Sequence, residues 1–412
     1  MPAGLGARDA AEDVARRSYG KLIAFLSART RDVAAAEDAL SDAFAAALAD
    51  WPASGIPRSP EAWLLAVARR KTIDAARRAR TGADNADQVR LMFEELEAEP
   101  GDIPDQRLAL MFACAHPAIE AGIRAPLILQ TVLGFDAATI ASAFLIAPAA
   151  MGQRLSRAKA KIREAGIPFR VPDRAELPDR LDAVLAAIYA AFAEGWTDPA
   201  GTETRRRNLA SEGIWLGQLV VSLLPREPEA LGLLAMMLFA EARRGARRNA
   251  AGDYVPLAEQ DVTAWDNARI DEAEALLMRA SAFGLIGRYQ LEAAVQSAHV
   301  VRRRDGTADW MAIVQLYDAL FAMTGSPVVA INRAVAVAET RGAAAGLAEL
   351  DALSDDGRLA DYQPYWAARA GLLARMEETQ EAARAYERAI GLESDPAVRR
   401  FLQARREALA SE

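Results

Sequence analysis

At 412 residues the chain exceeds the usual size of one domain and is expected to fold as two or three. Its 57 acidic against 49 basic side chains, a formal charge of -8, exclude a uniformly basic nucleic-acid binder and leave room only for local cationic faces. A single cysteine, Cys114, excludes an internal disulfide, and a high apolar content driven by alanine, without period-two runs, points to an all-α protein.

The first residues, MPAGLGARDAAEDVARR, alternate in charge and lack an apolar core, and the longest apolar runs elsewhere are broken by charges or proline before a spanning length. A cytoplasmic protein without membrane contact is expected. From Glu12 to Arg29 the spacing of Val14, Tyr19, Leu22, Ile23 and Leu26 predicts an amphipathic helix. Asp32 suits the cap of a second helix, with Leu40, Phe44, Ala47, Leu48 and Trp51 on its apolar side and Glu37, Asp38 and Asp42 on an acidic one. WPASGIPRSP is a loop by its density of proline, glycine and serine. The helix after it, EAWLLAVARRKTIDAARRAR, offers Trp63, Val67 and Ile73 for burial and carries Arg69, Arg70, Lys71, Arg77 and Arg78. These cations are balanced poorly by Asp74, which favours nucleic acid over a merely solvated face.

Thr81 to Ile103 holds seven carboxylates against Arg90 alone and reads as an acidic linker. A helix from Asp105 to His116 then opens a second small domain and stops at Pro117; Cys114 and His116 have no clustered partners, so a packed helix end is expected there, not a metal site. The stretch from Leu127 to Glu164 has the outline of a helix-turn-helix. Asp136 suits the cap of its first helix, Ile140, Ala141 and Phe144 point inward, the turn runs through Leu145, Ile146 and Ala147, and Pro148 opens the second helix. At roughly 100° per residue Met151, Leu155, Ala158 and Ile162 form an apolar stripe; Arg154, Arg157 and Lys161 form a cationic one beside it, with Gln153 at its edge. One face is set to pack and the other to meet DNA.

After the proline-rich boundary IPFRVPDRAELPDR the chain is a long run of helices. Trp366, Ala370, Ala382, Tyr386 and Ala389 fit the large, small, small, aromatic, small spacing of tetratricopeptide (TPR) repeats, and Asn332, Ala336, Ala348 and Ala352 stand 34 residues earlier. Small residues where helix pairs cross would build a concave solenoid able to hold a peptide or helix. The arginines 243, 244, 247 and 248 and the run Arg302 to Arg304 read as solvated surface.

Two stretches carry a resemblance. QRLSRAKAKIRE, after a capped helix and a short turn, resembles region 4 of bacterial RNA polymerase sigma factors, which reads the -35 promoter element. AEDALSDAFAAALADW, followed after one loop by AWLLAVARRKTIDAARR, resembles region 2 of the extracytoplasmic-function (ECF) class. With RYQLEAAVQSAH and SPVVAINRAVAVAETRG, nearly the whole chain is similar to the ECF subgroup bearing a C-terminal TPR-type domain. That resemblance implies region 2 over residues 1–80, a linker over 81–103, a region 4 helix-turn-helix over 104–168 and a TPR-like domain over 177–412.

It also implies roles. Core RNA polymerase would be met by Glu37, Asp38, Asp42 and Phe44; the -10 element by Trp63, Arg69, Arg70, Lys71, Arg77 and Arg78; and the -35 element by Gln153, Arg154, Arg157 and Lys161. Melting a promoter extrudes a base at a cost of a few kcal/mol, for which Trp51 and Trp63 offer stacking surfaces, although a core position is the stronger expectation for Trp63. No cofactor is implied. Phosphate loop, serine elbow and HExxH motifs are absent and the histidines are His116 and His299 alone, so no enzyme is expected. The alternative is a TPR scaffold with a DNA-binding helix-turn-helix that leaves polymerase alone, and region 2 is what separates the two.

Overall fold

The computed structural model describes residues 3–79, 105–144, 146–173, 175–196 and 204–409, and the expected acidic linker 81–103 lies outside them. Among the described residues there are nineteen α-helices and no strand, so the fold is all-α as the composition implies. The chain divides into two compact units, residues 1–195 and 196–412.

The first unit begins with α1 (Ala3–Thr30), α2 (Val33–Ser54) and α3 (Pro60–Ala79). Asp32 caps α2 by accepting from the Ala35 amide at 3.1 Å, which satisfies one of the orphan donors of the first turn. Val14, Leu22, Ile23 and Leu26 of α1 are buried as their spacing predicts. On α2 the buried stripe keeps three of the five expected residues and takes in Ala43 in place of Phe44 and Leu48. Leu40, Ala43, Ala47 and Trp51 are buried, while Phe44 is half-buried and Leu48 is 49% exposed. On α3 the buried residues are Leu64, Leu65 and Ala68, and Trp63, Val67 and Ile73 are half-buried at the edge of the stripe.

Next come α4 (Arg107–Cys114), α5 (Ala121–Leu133), α6 (Ala137–Ala143) and α7 (Pro148–Glu164). α1 packs on both α4 and α5, and α2 packs on α7, so both small helical groups share one compact unit. The α1–α5 approach is backbone to backbone: a Cβ on Gly20 would lie 2.0 Å from the Val132 carbonyl oxygen. Cys114 is buried against the Thr131 hydroxyl at 3.4 Å, and burial pushes its thiol up to about 12. His116 Nδ1 accepts from the Ala118 amide at 3.1 Å. The helix α8 (Leu177–Trp196) follows, and Arg180 donates to the Phe112 carbonyl of α4 at 2.8 Å.

The second unit is a succession of antiparallel helices: α9 (Thr204–Leu223), α10 (Pro228–Ala242), α11 (Asn267–Ser281), α12 (Arg288–Val300), the short α13 (Arg302–Asp305), α14 (Trp310–Thr324), α15 (Pro327–Arg341), α16 (Ala343–Asp351), α17 (Gln363–Arg375), α18 (Thr379–Leu392) and α19 (Pro396–Ala408). α10 lies at its centre against both α11 and α12, and the later helices pair with their successors. Glu229 of α10 caps α12 from outside, accepting from the Tyr289 and Gln290 amides at 2.9 and 3.2 Å.

The repeat spacing holds at one end and shifts at the other. Ala370, Ala382, Tyr386 and Ala389 share one buried cluster, as expected. In the preceding pair Ala336 is buried, but Ala348 and Ala352 are exposed, and the small residue at the crossing is Gly346, where a Cβ would meet the Ala338 Cβ at 2.6 Å. The cause is the connection: one residue, Gly342, separates α15 from α16, whereas residues 376–378 separate α17 from α18. The two-residue difference moves the second helix of the pair out of a strict 34-residue register.

Of the arginines expected at the surface, Arg304 is exposed and the others serve as anchors within the unit. Arg248 bonds Asp395 at 2.6 Å; Arg303 bonds Asp271 at 2.7 Å and Glu274 at 3.2 Å; Arg302 donates to the Ala258 and Gln260 carbonyls at 2.7 Å each. Residues 248–260 thus form a strap. It is held to α19 by Arg248–Asp395, Arg400–Asp253 and Arg405–Glu259, with Tyr254 edge-on to Phe401 at 5.5 Å.

Candidate nucleic-acid interface

The unit α6–turn–α7 is built by local signals. Asp136 accepts from the Thr139 amide and hydroxyl at 2.8 Å each, and Pro148 starts α7 where its missing N–H costs nothing. Ile140 and Ala141 are buried and Phe144 is half-buried; of the expected turn, Leu145 lies outside the described residues. Met151, Leu155, Ala158 and Ile162 are the buried residues of α7, the stripe predicted from periodicity.

The flank of α7 beside this stripe carries the cations. Gln153, Arg157 and Lys161 are exposed. Arg154 is drawn back to Glu120 at 3.0 Å, so its charge is partly neutralised in this arrangement, and it flanks a hollow of about 180 Å³ with Arg157 and Lys161. Two further cations of the same helix turn toward α2. Lys159 bonds the Glu37 carboxylate, and Arg163 bonds Asp32 at 3.2 Å. Burial pushes the Glu37 carboxyl above its usual range while Lys159 pulls it back.

On α2 the four residues assigned to polymerase therefore separate. Asp38 and Asp42 are exposed, Phe44 is half-buried beside them, and Glu37 is turned into the contact with α7. The exposed Leu48 adds apolar surface that the expected stripe had placed inside. The α3 set divides as well. Arg70 and Lys71 are exposed, with Lys71 3.5 Å from Asp42. Arg69 faces α1 with its guanidinium 5.1 Å from the Phe25 ring, where burial lowers its pKa. Trp63 is half-buried, edge-on to the buried Trp51 with ring centroids 5.5 Å apart. The side chains of Arg77 and Arg78 lie outside the described residues. Lys159 and Arg163 were not singled out from the sequence, and spacing alone carries no signal that would pair them with α2.

Residues 14–81, spanning α1 to α3, match sigma-70 region 2, and residues 180–281 match a family of unknown function (DUF6596). Over 389 residues the chain is 38% identical to an uncharacterized protein of Rhizobium meliloti (strain 1021), covering 93% of this chain and 92% of the relative. The chain belongs to the family of that relative. No solved structure matches it. Its region 2 supports a sigma factor, one that binds core RNA polymerase and promoter DNA and takes part in promoter recognition. No catalytic family matches, no group of metal ligands occurs among the described residues, and no described helix is long and apolar enough to cross a membrane.

Proposed function

We propose that the protein is an alternative sigma factor of the ECF type, in which α2 docks on polymerase, α3 holds the -10 element, α7 reads the -35 element, and the second, TPR-like unit modulates initiation from the cytoplasm. The observation that carries this reading is the two-faced helix α7. Its buried stripe and its exposed Gln153, Arg157 and Lys161 lie on the same chain as a sigma-70 region 2. Arginine and lysine can meet phosphates and guanine edges in the major groove, while glutamine suits adenine.

The arrangement described is then a free form. The -10 and -35 elements lie about 25 base pairs apart, roughly 85 Å of duplex at 3.4 Å per pair. A compact unit of 195 residues is only about 40 Å across. To reach both elements, α7 must leave α2, giving up the Lys159–Glu37 and Arg163–Asp32 pairs. The 25 residues between Ala79 and Asp105 can span at most about 85 Å, enough for that separation.

The test is co-purification with core RNA polymerase and transcription from one promoter, comparing the parent with Asp38→Lys/Asp42→Lys. Reversing two exposed charges should leave the fold intact and abolish holoenzyme formation. Parental recovery of the double variant with polymerase would remove α2 from docking, and failure of the parent to bind polymerase would leave a DNA-binding scaffold.

A further inference from the structure

The strap of residues 248–260 crosses the second unit beside a cavity of about 640 Å³, a volume in the range of small-molecule sites. Its wall holds an electrostatic imbalance. Arg243, at the C-terminal end of α10, is only 9% exposed and lines the cavity. Its Nε donates to the Phe239 carbonyl at 3.2 Å and an Nη to the Gln296 amide oxygen. Both partners are neutral, and among the described residues Arg243 forms no ion pair. The charges acting on it include two more cations, Arg247 and Arg302, which with burial lower its pKa to about 10, still protonated at neutral pH. The α10 carbonyls offer only a fractional counter-charge.

The rest of the wall fits an anion with a planar body. His299 is held neutral by burial and by Arg243 and Arg302, with its pKa lowered to about 4, and it stacks edge-on to Trp310 at 5.4 Å. Tyr317 and Asn332 complete one side. Asn332 stands at the repeat position that Trp366 fills one repeat later, so the large residue of the repeat is replaced by a polar one where it faces the cavity. Glu339, the carboxylate among the lining residues, is taken by Arg375 at 2.5 Å. A buried, uncompensated guanidinium is costly to keep, and a ligand that brings the missing negative charge recovers that cost as affinity.

We propose that this cavity binds a small organic anion whose carboxylate or phosphate pairs with Arg243 while its planar part lies against Trp310 and Tyr317. The site rests on the second unit's own geometry and stands apart from the sigma-factor reading. The test uses the full chain with three probes of one ring size: benzoate, phenyl phosphate and neutral benzamide, followed by calorimetry and thermal unfolding. At least one anion should bind saturably and raise the unfolding temperature while benzamide does neither; benzoate alone responding identifies a carboxylate ligand, phenyl phosphate alone a phosphate. Arg243→Met should weaken that binding by about tenfold or more, yet unfold without ligand no lower than the parent, because an unpaired buried charge has been removed. Asn332→Trp, a bulky group placed at the cavity from an exposed position, should block binding with the charge intact. Binding of neither anion, equal binding of benzamide, or parental affinity in Arg243→Met would overturn the site. Should Arg243→Met fail to fold, parental affinity in Asn332→Trp overturns it and loss of affinity there upholds it.

Discussion

Lys159 of α7 and Glu37 of α2 form an ion pair that ties the candidate DNA-reading helix to the acidic helix, with side chains only 11% and 17% exposed. Burial raises the Glu37 pKa although Lys159 opposes it, so the titration of Glu37 favours the folded chain most below its unfolded-state pKa, and that contribution is lost as pH rises through the folded-state value where the carboxyl ionises. Removing one partner strands the other. Lys159→Met should cost about 3 kcal/mol in urea unfolding of the full chain, whereas Lys159→Met/Glu37→Leu should return to within about 1 kcal/mol of the parent. Additive losses in the double variant would show that the two residues act separately.

Two glycines in the first unit should respond in opposite directions. At Gly20 a Cβ would enter the Val132 carbonyl of α5, so Gly20→Ala must push α1 and α5 apart and should lose about 3 kcal/mol. At Gly152, inside α7, nothing lies within 4 Å of an added Cβ, and Gly152→Ala should gain up to about 1 kcal/mol by helix propensity. Chemical denaturation of both variants reads the difference in sign.

His299 gives the second unit a pH dependence. Its pKa falls from 6.5 to about 4, so between those values the unfolded chain binds more protons than the folded one. Its contribution is present above pH 6.5 and is lost as pH falls through about 4, on the order of 3 kcal/mol. Unfolding measured from pH 7 to 4 should show a shallower decline in His299→Asn than in the parent. Parallel curves would mean that His299 is not held neutral by burial and its arginine neighbours.

What the sequence by itself determined is what neighbours along a helix decide. The caps at Asp32 and Asp136, the helix start at Pro148 and the buried stripe of Met151, Leu155, Ala158 and Ile162 were legible because they act within one or two turns. The region 2 stretch was legible too, since its motif lies in continuous chain. Only the tertiary structure decided which of two adjoining faces α2 buries, leaving Leu48 outside, because that depends on where α1 and α3 lie against it. It likewise placed Gly346 at the helix crossing, since a two-residue difference between loops shifts contacts that a fixed period cannot follow. Charge was the least legible property. Glu37 and Lys159 are 122 residues apart, and Arg248 and Asp395 are 147 apart. A long flexible side chain can meet water, DNA or a distant carboxylate, and the choice is made by which groups the packed helices bring within reach and desolvate.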